Sequence, residues 1–182
     1  MKAIKLLVFS LIAFSFSGCD DELFDIKFNM PSIEVKYTLE PKDTAGIIVL
    51  TPSVQTINLD SLALANGTDL SKLKSCKVTK ITIMIESPAT ANFDALDGGF
   101  LNASIGITGD PDFDLLRIAE IKDVPKGVTQ IDVTPTDVDL LKFAKKTHFT
   151  ISGELRTNKP IVEKMNLKCI IETEVIANPV SK

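Results

Sequence analysis

The sequence predicts an all-β protein, a single antiparallel β-sandwich of about eight strands with one or two short helices in its connections. From residue 24 onward, apolar and polar residues alternate in short segments, and a period of two is typical of half-buried strands. Turn residues separate these segments at regular intervals, and only a few short stretches show helical spacing. Many short strands in regular succession favour two packed antiparallel sheets.

The first two alternating segments are residues 24–30 and 33–39. Pro31 and Ser32 separate them, and the apolar residues change phase at that point. Because proline cannot donate a hydrogen bond to a neighbouring strand, we expect a bend there or a crossing from one sheet to the other.

Further strands are predicted at residues 47–50, 77–86, 100–107, 115–121 and 129–133. The last two alternating segments, 149–155 and 165–175, flank a turn-forming stretch from Thr157 to Pro160. A short polar loop between two such segments predicts a long β-hairpin.

Three stretches between the strands are candidates for these short helices. Residues 59–65 and 70–74 are each long enough for one or two turns and are separated by Asn66 and Gly67. Residues 137–146 carry Val138, Leu141 and Ala144 at helical spacing, and Thr136 precedes them as a candidate N-cap.

Residues 1–18 predict a secretory signal peptide that is removed from the mature protein. Lys2 and Lys5 form a basic start, and an apolar run from residue 6 to 16 follows. A span of the bilayer needs roughly 20 apolar residues, so this run of about 11 is too short for a permanent transmembrane helix.

The next residues, Phe16-Ser17-Gly18-Cys19, form a motif with small residues directly before a cysteine. The motif resembles the lipobox of bacterial lipoproteins, although the third residue before the cysteine is usually leucine and here is Phe16. The resemblance implies that Cys19 is lipidated and becomes the first mature residue, and two or more acyl chains such as palmitate give a stable anchor. The alternative is a soluble secreted protein in which Cys19 only lies near the cleavage site.

Asp20, Asp21 and Glu22 follow the cysteine. Acids at this position are similar to the surface-export signal of Bacteroidota lipoproteins, which implies a lipid-anchored protein on the outer face of the outer membrane. A periplasmic-facing position is the alternative, and a charge run is also often only a solvated tether. The predicted organisation is therefore a signal peptide at 1–18, a lipidated cysteine and acidic tether at 19–23, and a β-sandwich domain at 24–182.

Composition limits the partners of the mature chain. The 182-residue chain has a formal net charge of −4, and loss of Lys2 and Lys5 with the signal peptide moves it to −6. No basic patch stands out, so nucleic-acid binding is disfavoured. We expect the lipid on Cys19 to hold the protein to the membrane and another envelope protein to be its partner.

Beyond Cys19, the chain contains only Cys76 and Cys169. Exported proteins live where disulfides persist, so this pair is a candidate bridge. Alternation points Cys169 inward, whereas Cys76 is out of phase with Ile81, Ile83 and Ile85, so a β-bulge would be needed to turn both thiols inward. Two buried free thiols are the alternative.

Catalytic and metal-binding patterns are weak. The only histidine, His148, falls on the polar side of a strand, and no Gly-x-Ser-x-Gly elbow accompanies it. Asp110, Asp112 and Asp114 have a spacing that could offer oxygen ligands to calcium, but Leu115 and Ile121 occupy the positions where a calcium loop needs glycine and glutamate. We therefore predict no cofactor and no metal, with calcium at this triplet as the alternative.

These observations favour a non-enzymatic cell-envelope lipoprotein, a binding or scaffolding module held close to the outer membrane. Two alternatives stay open. The sandwich could bind a small apolar ligand or lipid between its sheets, or carboxylates from different strands could form the cleft of a hydrolase.

Overall fold

The computed structural model describes residues 25–106 and 111–179. Within these ranges it contains nine strands in two antiparallel sheets, with two short α-helices. In chain order the strands are β1 (Ile26–Asn29), β2 (Ile33–Leu39), β3 (Gly46–Thr56), β4 (Leu73–Ser87), β5 (Leu96–Ile105), β6 (Asp114–Ile121), β7 (Gln130–Val133), β8 (His148–Thr157) and β9 (Met165–Ala177). The predicted all-β sandwich is confirmed.

The first sheet is organised around β9. Both β1 and β2 pair with one side of β9, and β4 pairs with its other side and then with β7. The second sheet has the order β3-β8-β5-β6. The buried apolar side chains of both sheets, such as Ile171 on β9 and Leu101 on β5, form one core between them.

The phase change at Pro31 is a bend within one sheet. Asn29 lies opposite Glu174 and Ile33 lies opposite Ile171. The chain therefore advances four residues from β1 to β2 while β9 advances three. The extra residue reverses the alternation of buried and exposed side chains, while β1 and β2 both stay paired with β9. Of the two expectations, the bend is confirmed, and the crossing to the other sheet is wrong.

The predicted C-terminal hairpin is wrong, because β8 and β9 lie in different sheets. The segment between them does not make a tight turn. Its Ile161 instead exchanges two backbone hydrogen bonds with Lys42, at 2.9 and 3.0 Å, as the chain passes from one sheet to the other. Alternation specifies which face of a strand is buried, but not which strand lies beside it. Two strands can bury their apolar faces against each other across the core, from different sheets, as well as side by side in one sheet.

The strand prediction at 47–50 is too short. β3 runs from Gly46 to Thr56 and continues through Pro52 with a register shift between Leu50 and Ser53. Proline is tolerated here because β3 is the edge strand of the second sheet and the residue sits in a bulge.

The helix predictions are confirmed only in part. α1 (Leu59–Ala65) is found as predicted, and Asn58 caps it by accepting a hydrogen bond from the Ser61 backbone at 3.1 Å. Residues 70–74 give only a 3-10 turn at Leu70–Lys72, because β4 begins at the next residue.

The predicted helix at 137–146 is reduced to α2 (Leu141–Ala144). The Thr136 hydroxyl does not cap it and instead donates to the Arg117 carbonyl oxygen. Asp139 holds the preceding segment against β4, since its carboxylate accepts from the Cys76 backbone at 3.0 Å and from the Leu141 backbone at 2.8 Å. Pairing with the sheet therefore replaces the first turn of the predicted helix, residues 137–140.

Candidate functional site

The predicted anchor residues Cys19, Asp20, Asp21 and Glu22 lie outside the described residues. The described chain does show where a tether from them would join the fold. Ile26, the first residue of β1, lies opposite Ala177 near the end of β9. The preceding residue, Asp25, forms an ion pair with Lys74 at 2.7 Å.

We call this end of the sandwich the anchor end. It also contains the connection that carries α1, because the Thr68 hydroxyl donates to the Asn178 carbonyl oxygen at 2.6 Å. The opposite end, where Leu39 lies opposite Met165 and Gly46 lies opposite Thr157, is called the far end.

Cys76 and Cys169 are free thiols, and both are buried. Register shifts on both sides of Cys76, between Leu73 and Ser75 and between Val78 and Lys80, provide the bulges that turn it inward. However, Cys76 lies opposite Val175, six residues along β9 from Cys169. The two thiols are thus about 20 Å apart along the strand, far beyond the reach of a disulfide, and the candidate bridge is not formed.

The environment of the thiols keeps them protonated. Burial raises the pKa of Cys76 to about 12, and the nearby charge of Asp139 adds to the rise. Burial also raises the pKa of Cys169 to about 12. Buried thiols of this kind behave as small apolar side chains rather than as nucleophiles.

The calcium candidates do not come together among the described residues. Asp110 lies outside them, Asp112 is exposed, and Asp114 forms an ion pair with Lys142 at 2.9 Å. Asp97 pairs with Arg156 at the far end of β8. In the ranges that the structure describes, no group of three or more potential ligands is arranged to hold a metal ion.

His148 is exposed at the start of β8, with its Nδ1 3.0 Å from the Thr56 hydroxyl. It faces outward, as its phase in the sequence predicts. Tyr37, the only tyrosine, is buried in the core as its phase also predicts.

The outer faces of the two sheets differ in character. The outer face of the first sheet is crossed by ion pairs between residues of different strands and connections. Three of them are Lys168–Glu34 at 2.8 Å, Lys36–Glu86 at 3.3 Å and Lys77–Asp137 at 2.6 Å. A face of this kind is typical of a surface in contact with water.

The outer face of the second sheet carries exposed apolar groups. On β3, Ile47, Val49 and Val54 are 58%, 70% and 68% exposed. Leu115 on β6 is also exposed. β3 contains no charged residue over its eleven positions, whereas edge strands are commonly protected by charge.

Both arginines of the chain lie on this second face. The Arg117 guanidinium stands over the ring of Phe100, 4.0 Å from its centroid, and Arg156 pairs with Asp97 at 3.2 Å. A shallow groove of about 260 Å³ runs between them toward the far end, and Glu154 and Ile47 contribute to its walls.

The charges around this groove are mostly paired with one another. Lys122 pairs with Glu120 at 2.7 Å, and this hydrogen bond lowers the pKa of Glu120, with the charges of Lys122 and Arg117 adding to the effect. Among the described residues, Arg117 has no carboxylate and Glu154 no cation close enough for an ion pair. One positive and one negative group on the same face are therefore available to a partner.

Sequence reasoning missed this face. Arg117 and Arg156 are far apart in the chain, and β5, which separates their strands, brings them to one surface. The one signal in the sequence is that these are the only arginines among 20 basic residues. Arginine and aromatic residues are enriched in the contact surfaces of protein complexes.

The space between the sheets is filled with side chains. Leu101, Ile118 and Ile171 are each buried to at least 99%. A groove of about 480 Å³ lies at the surface, between α1 and the β1–β2 connection. None of the helices in the described part of the chain is long and apolar enough to span a bilayer.

No protein-family model matches the chain, and a search of the curated proteins also finds no match. Two viral structures are among the similar solved structures. A 60-mer of the BFDV capsid protein is 9% identical with a TM-score of 0.35, and the match covers 87% of this chain and 95% of the capsid chain. Desmodium yellow mottle tymovirus is 12% identical with a TM-score of 0.24, and the match covers 86% of this chain and 85% of the viral chain. Both TM-scores are too low to establish a shared fold.

Proposed function

We propose that the protein is a non-enzymatic cell-envelope lipoprotein, a binding or scaffolding module held close to the outer membrane by a lipid on Cys19. The observation that carries the proposal is the position of β1. β1 starts at Ile26 and is paired over its whole length with β9, so only residues 20–25 separate Cys19 from the folded body. Six extended residues span at most about 20 Å.

This short tether fixes which end of the body faces the lipid. The anchor end, with Asp25 and the α1 connection, lies beside the membrane, and the far end points away from it. The groove beside Arg117 opens toward the far end, where a second protein can reach it. The acids at 20–22 favour the outer surface of the outer membrane, with a periplasmic-facing position as the alternative.

Binding through a surface has more support than binding between the sheets. The core is filled at Leu101, Ile118 and Ile171, and a ligand site normally needs a preformed cavity. The outer face of the second sheet instead offers exposed apolar groups together with Arg117 and Phe100, the residue types on which protein contacts depend.

The anchor is tested by metabolic labelling with palmitate in the native host. We expect the wild-type chain and a Cys76→Ala variant to carry label and a Cys19→Ala variant to lose it. Label retained in Cys19→Ala, or absent from the wild type, would refute the lipid anchor.

The position of the body is tested by adding protease to intact cells. Surface exposure predicts cleavage of the protein in loops at the far end without lysis of the cell, whereas a periplasmic-facing body would be protected. Because β1 is part of the sheet, the chain near residue 24 should resist trimming, and rapid cleavage there would contradict the short tether.

A further inference from the structure

We propose that the outer face of the second sheet binds a second copy of this chain, face to face, around a two-fold axis that runs parallel to β5. The interface would bring the free charges of each copy together, Arg117 against Glu154 of the other. The choice of this arrangement over pairing of the β3 edges rests on the proposed lipid anchor. The charge complementarity of the face does not.

The face is complementary to itself in charge. On this face, Arg117 and Glu154 are the two ionised groups that have no ion pair among the described residues, and their charges cancel. A two-fold axis makes every contact twice, because residue i meets residue j and residue j meets residue i. When a face with one unpaired cation and one unpaired anion packs against its own copy, each cation can therefore pair with the anion of the other copy.

The strand order places these two groups on opposite sides of β5. Arg117 on β6 lies opposite Asn102, and Glu154 on β8 lies opposite Phe100. Rotation by 180° about an axis along β5 exchanges the positions of β6 and β8, so each Arg117 approaches Glu154 of the other copy. Phe100 and Asn102 lie next to the axis and meet their own equivalents.

Arg117 is held ready for this contact. Its guanidinium lies 4.0 Å from the centre of the Phe100 ring, and a stacked guanidinium keeps its N–H groups directed outward in its own plane. The side chain therefore loses little further freedom when a carboxylate binds at its edge.

The membrane selects this arrangement over pairing of the uncharged β3 edges. Antiparallel pairing of β3 with its own copy would reverse one molecule and place the two anchor ends on opposite sides of the dimer. An axis parallel to the strands leaves both anchor ends pointing in the same direction. Two copies can then hold their lipids in one membrane.

The available area predicts a weak dimer. Four strands of about ten residues form a face of roughly 14 Å by 33 Å, so two copies bury on the order of 900 Å², near the lower limit for specific interfaces. Confinement to one membrane raises the effective concentration of the copies. We therefore expect dimers in the membrane, and monomers once the same amount of protein has been extracted into solution.

Cross-linking through a single introduced cysteine tests the proposal on the full chain in its own membrane. In an Asn102→Cys variant, a short bismaleimide should join two chains and double the apparent mass. Lys36→Cys on the outer face of the first sheet is the matched control and should give no doubled band. Cys76 and Cys169 are buried and stay silent, so any adduct of the wild type reports an unmodified Cys19 and counts against the lipid anchor alone.

Charge reversal then identifies the contact. In the Asn102→Cys background, Arg117→Glu and Glu154→Arg should each lower the dimer fraction by about tenfold or more, and the two together should restore it. The restored double variant also shows that neither change acts through misfolding. Absence of a doubled band, an adduct with a different protein, or a dimer indifferent to these reversals would overturn the proposal.

Discussion

Ile26 lies directly opposite Ala177, so the first and the last strands of the sandwich are neighbours at the same end of the molecule. The short β1 strand is held there by the register of four residue pairs and by Phe28, whose side chain is buried in the core. The attachment of β1 to the sandwich therefore depends on the core as well as on backbone hydrogen bonds.

Replacing Phe28 with alanine should weaken this attachment. Loss of a buried phenylalanine typically costs about 3–5 kcal/mol, because burial is lost and a cavity remains. We expect a fall of about 3 kcal/mol in the free energy of unfolding, measured by urea denaturation, together with faster proteolysis near residue 30. The neighbouring exposed residue gives the control, and Lys27→Ala should change neither quantity measurably.

Gly153→Ala should destabilise the second sheet. A Cβ atom built on Gly153 would collide with the carbonyl oxygen of Phe100 on β5, so the strands would have to separate at this point. Forced overpacking costs about 1–3 kcal/mol, which thermal unfolding would detect as a lower Tm. Ser152→Ala, one residue away and facing outward, should have little effect. Equal stability of the two variants would show that the strands do not approach as described.

Deleting Thr79 should be tolerated better than deleting Thr82. Thr79 is the extra residue of the bulge between Val78 and Lys80, and its removal leaves a strand whose buried side chains still alternate. Deleting Thr82 instead moves every later residue of β4 to the other face. We expect folded protein from the first deletion and aggregated protein from the second, measured as soluble yield and resistance to protease.

The buried thiols should make stability fall in alkaline solution. The folded state keeps the protons of Cys76 and Cys169 until about pH 12, while the unfolded chain releases them near the usual pKa of 9.0. The free energy of unfolding therefore decreases as pH rises from about 9 to 12, and the contribution is constant below pH 9. Burial also raises the pKa of Tyr37, which acts in the same direction.

Denaturant titrations between pH 7 and 11 would measure this slope. A Cys76→Ala/Cys169→Ala variant should lose part of the alkaline decrease and keep the part due to Tyr37. At pH 7, both native thiols should resist alkylation and react only after unfolding. Rapid labelling of either thiol in the folded protein would contradict its burial.

The faces of the strands could be predicted from the sequence because alternation reports burial directly. Phe28, Ile33 and Leu167 are buried as their phases indicate, and the need for a bulge beside Cys76 was visible in the conflict between Cys76 and Ile81. Alternation does not identify neighbours, which is why β8 and β9 were expected to pair and are instead separated by the core.

The candidate interface was less accessible to sequence reasoning. Arg117, Phe100 and Glu154 come from three strands, and they form one surface only in the strand order β8-β5-β6. In the segment before α2, helix formation competes with hydrogen bonding to β4, and a local sequence pattern cannot reveal this competition. Residues 137–140 have helical spacing, but the hydrogen bonds of Asp139 to β4 and α2 determine their conformation.

The central position of β9 has a consequence for biosynthesis. Since β1, β2 and β4 all pair with β9, the first sheet cannot be completed until the ribosome has made the final part of the domain. Among the described strands, β1 and β2 have no other partner, so they stay unpaired through most of translation, and pairings between such distant parts of a chain form slowly. A chain that cannot complete this sheet until its last strand is made stays unfolded for longer, which suits the export that we propose for it.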